Sequence, residues 1–237
     1  MMFELLGRAL AEEAAEAAET VTEQAAEANP TWAQEAVEKF AETPTSVWIA
    51  ILVVVALAAV LLSVTKTSKK WNARMISFGA ISIALSFVLS CIRLFRMPQG
   101  GSVTPGSMLP LMLFSAAYGV GPGMLAGLVY GVLQYLQGGW FLNVWQFALD
   151  YLLAFAALGL AGLAKHWDKK WGLYLAMALA ALCRALSATL AGIAFWDTAP
   201  WASLVYNGTY LIPDTLICMV LALLIGDRML KLMKTGR

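Results

Sequence analysis

Two polar triads interrupt long apolar runs with the same spacing: Asn143, Gln146 and Asp150, then Asn207, Tyr210 and Asp214, each at i, i+3 and i+7. In a helix this spacing places all three side chains on one face. Polar groups inside apolar segments are costly, so each calls for a partner. Trp140, Trp145 and Tyr151 surround the first triad, while Trp196, Trp201 and Tyr206 lead into the second. A carboxylate set below aromatic faces suits a planar, cationic ligand, because cation–π attraction and a partly desolvated ion pair act on the same charge. The aromatics also fit an interfacial belt, which is the reading for Trp145 and Trp201; Trp196 fits either role. Arg184 and Asp214 are both mid-span and read as each other's partner, which leaves Asp150 to a ligand.

The elements that must position these residues are membrane helices. Of 237 residues, 60% are hydrophobic and 13% charged, with mean hydropathy +0.72, the composition of an all-α integral membrane protein. Residues 1–45 form an acidic Ala/Glu-rich extension, expected to be helical and broken at Asn29-Pro30, with ten acids against two bases; its net charge is −8 against +9 for the rest. Residues 46–65 carry no charge over twenty positions and predict an extra transmembrane helix. Six more apolar segments follow at about 75–95, 107–118, 121–137, 143–165, 171–196 and 203–231. The loops after 65 and 164 and the C-terminus hold eleven Lys and Arg residues on one side, which places the C-terminus in the cytoplasm and the acidic extension outside. Asp150 then lies roughly 10 Å below the outer end of its helix, in a shallow pocket that opens outward.

The segment Arg96–Pro110, RMPQGGSVTPGSMLP, is too rich in Gly and Pro to complete helical hydrogen bonds. At membrane depth such backbone must be covered by protein or line a cavity, so it reads as a lid, with Gln99 and Ser102 as contacts and Gly100, Gly101 and Gly106 supplying backbone freedom. Gly119, Gly123, Gly127 and Gly131 recur every four residues, a stripe for close helix packing. Ala80 and Ala84, followed by Ser86 and Ser90, make a second stripe that can face a neighbouring helix or a partner subunit. Cys91, Cys183, Cys218 and His166 lack zinc or redox spacing. No Walker A sequence and no inverted hydropathy repeat occur. Nothing here calls for a cofactor or for nucleic acid.

MPQGGSVTPGSMLP, QFALDYLLAFAALGLAGL (146–163), AGIAFW (191–196) and SLVYNGTYLIPD (203–214) together resemble the thiamine-specific substrate-binding subunits of energy-coupling factor transporters. The resemblance runs over about residues 72–237 and implies a six-helix substrate-binding domain in the bacterial cell membrane. It further implies that the domain is not an enzyme, binds thiamine near the outer face and works with a transmembrane scaffold subunit and two cytoplasmic ATPases. Carried over by motif, Asp150 pairs with the cation and hydrogen-bonds the aminopyrimidine, with Tyr151 beside it. Trp196 closes its motif, Gly192 lies beneath the ring, Asn207 supplies an amide and Trp140 is the aromatic of the turn. Ala80 and Ala84 resemble the motif that docks on the scaffold. The chain departs at Ala188, where some members have His, and at Ala202, where some have Tyr; a subunit for a thiamine precursor such as a pyrimidine is the alternative. An intramembrane enzyme or structural scaffold built on Arg184 and Asp214 is a remote one, since no nucleophile–base pair or metal cluster accompanies those charges.

Overall fold

The computed structural model describes residues 71–98, 100–167 and 171–235. The extension at 1–45, the helix expected at 46–65 and Gln99 lie outside them.

Six helices follow the six apolar segments closely: α1 Ala73–Cys91, α2 Leu109–Tyr118, α3 Val120–Leu136, α4 Val144–His166, α5 Gly172–Phe195 and α6 Pro200–Thr235. Four of them, α1, α4, α5 and α6, are long and apolar enough to cross a membrane. Asn72 caps α1 by accepting from the Met75 amide at 2.8 Å, and Asn143 caps α4 by accepting from the Gln146 amide at 2.8 Å. With 36 residues, α6 outruns a hydrocarbon core of about 30 Å. Its last turns carry Arg228, Lys231 and Lys234, which suit an interface. Large apolar side chains on the outer faces, such as Ile81, Val88, Leu182 and Leu224, are exposed in the isolated chain, as a lipid-facing surface requires.

At ten residues, α2 rises only about 15 Å, half a span. The rest of its path is the non-helical stretch before it, where Val103, Thr104, Ser107 and Met108 are all buried. That satisfies the rule that irregular backbone at membrane depth is covered by protein. The insert also forms a small antiparallel ribbon, β1 Phe95–Arg96 with β2 Ser102–Val103, pairing Phe95 with Val103.

The inner core is the seam between α3 and α4. An ideal Cβ at Gly127 would meet the Phe155 carbonyl, and one at Gly131 would lie 2.5 Å from the Tyr151 carbonyl oxygen. On α4, Gly159 and Gly162 press on the backbones of Met124 and Val120. This part of α4, Ala157–His166, is wound as a 3₁₀-helix, whose three-residue turn lines up positions 159 and 162 in one row. Gly119 departs from the expected stripe. Its φ of 109° marks the break between α2 and α3, a conformation that favours glycine. One turn nearer the N-terminal end of α4, Ala148–Leu153 is a π-helical turn, and it contains Asp150.

Candidate functional site

A cavity of about 530 Å³ lies between the ribbon, the end of α1, and helices α3 to α6. Its size falls in the range of small-molecule sites. Asp150, Tyr151, Trp140, Gly192, Trp196 and Asn207 all line it. Trp145 and Trp201 do not, and both are 74% exposed, as an interfacial belt expects.

Asp150 is held by its own helix. Its Oδ2 accepts from Gln146 Nε2 at 2.6 Å and from the Trp196 indole at 3.4 Å. Gln146 is fully buried and pinned in turn, since its Oε1 accepts from the Leu142 amide at 3.1 Å. No described residue donates to Asp150 Oδ1. The rings of Trp140 and Trp196 meet edge to face at 6.4 Å. Tyr151 Oη accepts from the Trp140 amide at 2.8 Å, and its ring packs against Tyr135 and Phe147. The arrangement presents one fixed negative charge beside two indoles.

The two triads behave differently from their shared spacing. In the first, Gln146 and Asp150 act together while Asn143 is spent as the helix cap. In the second, Asn207 is closed within its own helix: Nδ2 donates to the Ser203 carbonyl at 2.9 Å and Oδ1 accepts from Tyr210 Oη at 2.8 Å. Asp214 does not pair with Arg184. Its Oδ1 accepts from the Thr104 amide at 3.1 Å and hydroxyl at 2.7 Å, and Arg184 acts on it only at longer range. Arg184 instead donates to Met108 Sδ at 2.6 Å and stacks over Phe155 at 4.3 Å. The reason is geometric: Thr104 reaches Asp214 from the ribbon, a partner 110 residues away that helical spacing does not reveal. Thr104→Val is expected to leave this buried carboxylate short of a donor and to lower unfolding stability by about 1–3 kcal/mol, read from the thermal midpoint in detergent.

The second face of α6 therefore carries the ribbon. The Gly101 amide donates to Tyr206 Oη at 3.3 Å, and a Cβ on Gly101 would lie 2.6 Å from two carbons of the Tyr210 ring. Gly101 is thus required for close approach, a correction to its reading as a source of freedom. Gly100 and Gly106, with φ of 98° and 90°, do supply left-handed turns. Gly100 stands over Trp140, and Ser102 lines the cavity.

Gly192 has no room for a side chain, because a Cβ there would strike Ser203 Oγ. Of the two departures, Ala188 lines the cavity, whereas Ala202 is exposed and outside it. Ala80 and Ala84 are exposed, while Ser86 and Ser90 turn inward, so the second stripe divides between two faces. Residue spacing did not single out Gln134, Gln137, Thr104 or Tyr130, which also line the cavity, as does Ser90 from the second stripe. The signal for the two glutamines is the one that marked Asp150, a polar side chain inside an apolar span.

The family model described as Thiamine transporter protein (Thia_YuaJ) matches residues 75–234. The chain belongs to the thiamine transporter family. Thiamine transporter ThiT of Bacillus subtilis (strain 168) is 30% identical over 179 residues, covering 67% of this chain and 93% of that relative. A solved structure of ThiT from Listeria monocytogenes superposes with a TM-score of 0.57 at 24% identity, covering 67% of this chain and 96% of that one; it carries the fold. The thiamine transporter family match thus spans all six helices and the cavity they enclose, and residues 1–74 precede it.

Proposed function

We propose that this chain is the substrate-capture subunit of an energy-coupling factor transporter and that its ligand is thiamine. Thiamine joins a neutral aminopyrimidine to a permanently cationic thiazolium bearing a hydroxyethyl group. The observation that carries the reading is the open Oδ1 of Asp150 in a cavity walled by Trp140 and Trp196. The carboxylate and the indole faces act on the same cation, and burial strengthens both attractions. Trp196, Gly192, Tyr151 and Trp140 shape the wall, and Asn207 anchors it through Ser203 and Tyr210.

The basic ends of α4 and α6 support an orientation with the C-terminus in the cytoplasm and the cavity toward the outside. A transmembrane scaffold subunit and two cytoplasmic ATPases supply the energy, and the exposed Ala80 and Ala84 offer the scaffold a close-packing face. The Met97–Pro110 insert is the lid. Gly101→Ala is expected to lift it from Tyr210 and speed ligand release, measured as a higher dissociation rate in stopped-flow fluorescence; an unchanged rate would count against the lid.

Mass spectrometry of small molecules released from the detergent-purified chain tests the assignment without presuming it. Thiamine is the expected species. A different tightly held molecule, with no thiamine binding on titration, would overturn the reading.

A further inference from the structure

Four carboxamides line the cavity: Gln134, Gln137, Gln146 and Asn207. Each carries one accepting oxygen and one donating NH₂. Three of the oxygens are taken by protein donors. Gln137 Oε1 accepts from Ser90 Oγ at 3.0 Å and Gln134 Nε2 at 3.1 Å. Gln146 Oε1 accepts from the Leu142 amide at 3.1 Å, and Asn207 Oδ1 accepts from Tyr210 Oη at 2.8 Å.

Gln134 is different. Its Nε2 donates to Ser90 Oγ at 2.8 Å as well as to Gln137, and no described group donates to its Oε1. With Gln137 oriented by its Nε2 donation to Cys91 Sγ at 3.0 Å, turning the Gln134 amide over would set its oxygen against Gln137 Oε1, another acceptor. Ser90 has one hydroxyl proton, for which the Phe87 carbonyl at 2.7 Å and Gln137 Oε1 at 3.0 Å already compete. The fully buried polar side-chain atoms without a partner among the described residues are Ser86 Oγ and Thr189 Oγ1. Gln134 Oε1 is not one of them and so is not sealed off, and half-buried Gln134 lines the cavity.

We propose that Gln134 is a specificity-determining residue whose carbonyl accepts a hydrogen bond from a neutral donor of the ligand. This rests on the reading of the cavity as a thiamine site. Thiamine has two such donors, the pyrimidine amino group and the side-chain hydroxyl, both separate from the charge that Asp150 faces. A pocket built around a donor rejects an analogue lacking it, because the pocket's own polar group is then left unpaired. Aromatic walls and a carboxylate select a flat cation; Gln134 adds a requirement for a particular hydrogen.

The test uses the purified full-length chain, thiamine, and two analogues, one lacking the hydroxyl and one lacking the amino group. In the parent, one of the analogues is expected to bind about five- to tenfold more weakly than thiamine through this contact. Gln134→Met keeps the length and removes the carbonyl. It is expected to weaken thiamine by a similar factor while leaving that one analogue's affinity unchanged. Equal losses for thiamine and both analogues would mark Gln134 as a structural link between Ser90 and Gln137 and overturn the proposal. So would a parent that binds both analogues as tightly as thiamine, a comparison that needs no variant to fold. A parent that binds no thiamine overturns the functional reading itself, an outcome distinct from loss of selectivity alone.

Discussion

Asp150→Asn is expected to weaken thiamine binding about 10- to 100-fold, measured by equilibrium titration of the purified chain, with little change in thermal stability. The substitution keeps the shape of the side chain and an oxygen that can accept from Gln146 and Trp196. What it removes is the charge. A hydrogen bond or contact to a charged group contributes about 1.5–3 kcal/mol in a partly buried site, and each 1.4 kcal/mol is about a factor of ten in affinity. The fold does not need the charge, because no described cation forms an ion pair with Asp150. Binding and stability should therefore separate. An unchanged affinity would remove Asp150 from the site; a parallel fall in both quantities would make it a structural residue.

Gly127→Val should cause the largest loss of stability, about 3 kcal/mol or more, seen as a lower thermal midpoint and a lower yield of folded protein. A Cβ at this position would lie 2.8 Å from the Phe155 carbonyl carbon and 2.9 Å from the Ala156 Cα. Those atoms belong to the backbone of α4 and cannot rotate away, so the two helices must part. Parting them also moves Asp150 and Tyr151, which ride on α4 within two turns of Phe155, and ligand affinity should fall with stability. Gly121 is the control on the same helix, since nothing lies within 4 Å of a Cβ there. Gly121→Ala should be neutral or slightly stabilising, because Ala is the better helix former.

The six helices were legible because a membrane span must be apolar along its whole length, and that run of residues is visible without knowing any neighbour. Asp150 stood out for the converse reason: a carboxylate within such a run is conspicuous, and the fold sets it in the cavity wall with Gln146 one turn away. What the spacing hid were partners distant in the chain. Asn207, Tyr210 and Asp214 have the same periodicity as the first triad, yet Asn207 bonds within its own helix while the other two hold the insert, and only the fold brings Thr104 to Asp214 and Gly101 to Tyr210. Gln134 and Gln137 carried the same signal as Asp150 without a marked face, and their role depends on Ser90 at the end of α1. Ala80 and Ser86 illustrate the limit of a small-residue stripe, since residues six apart need not share a face. The winding of α4 was hidden too, because departures from the α-helical period blur the pattern that reveals a helix.

The π-helical turn at Ala148–Leu153 has a consequence for how this helix can change over generations. One extra residue in a turn rotates everything beyond it by about 100° relative to an unbroken helix. The cavity-lining half of α4 and the 3₁₀-wound half that carries Gly159 and Gly162 are thus out of phase with each other. Substitutions that retune Asp150 and its neighbours do not have to respect the spacing of Gly159 and Gly162. A single helix can in this way keep its close-packed half constant while its cavity-lining half varies.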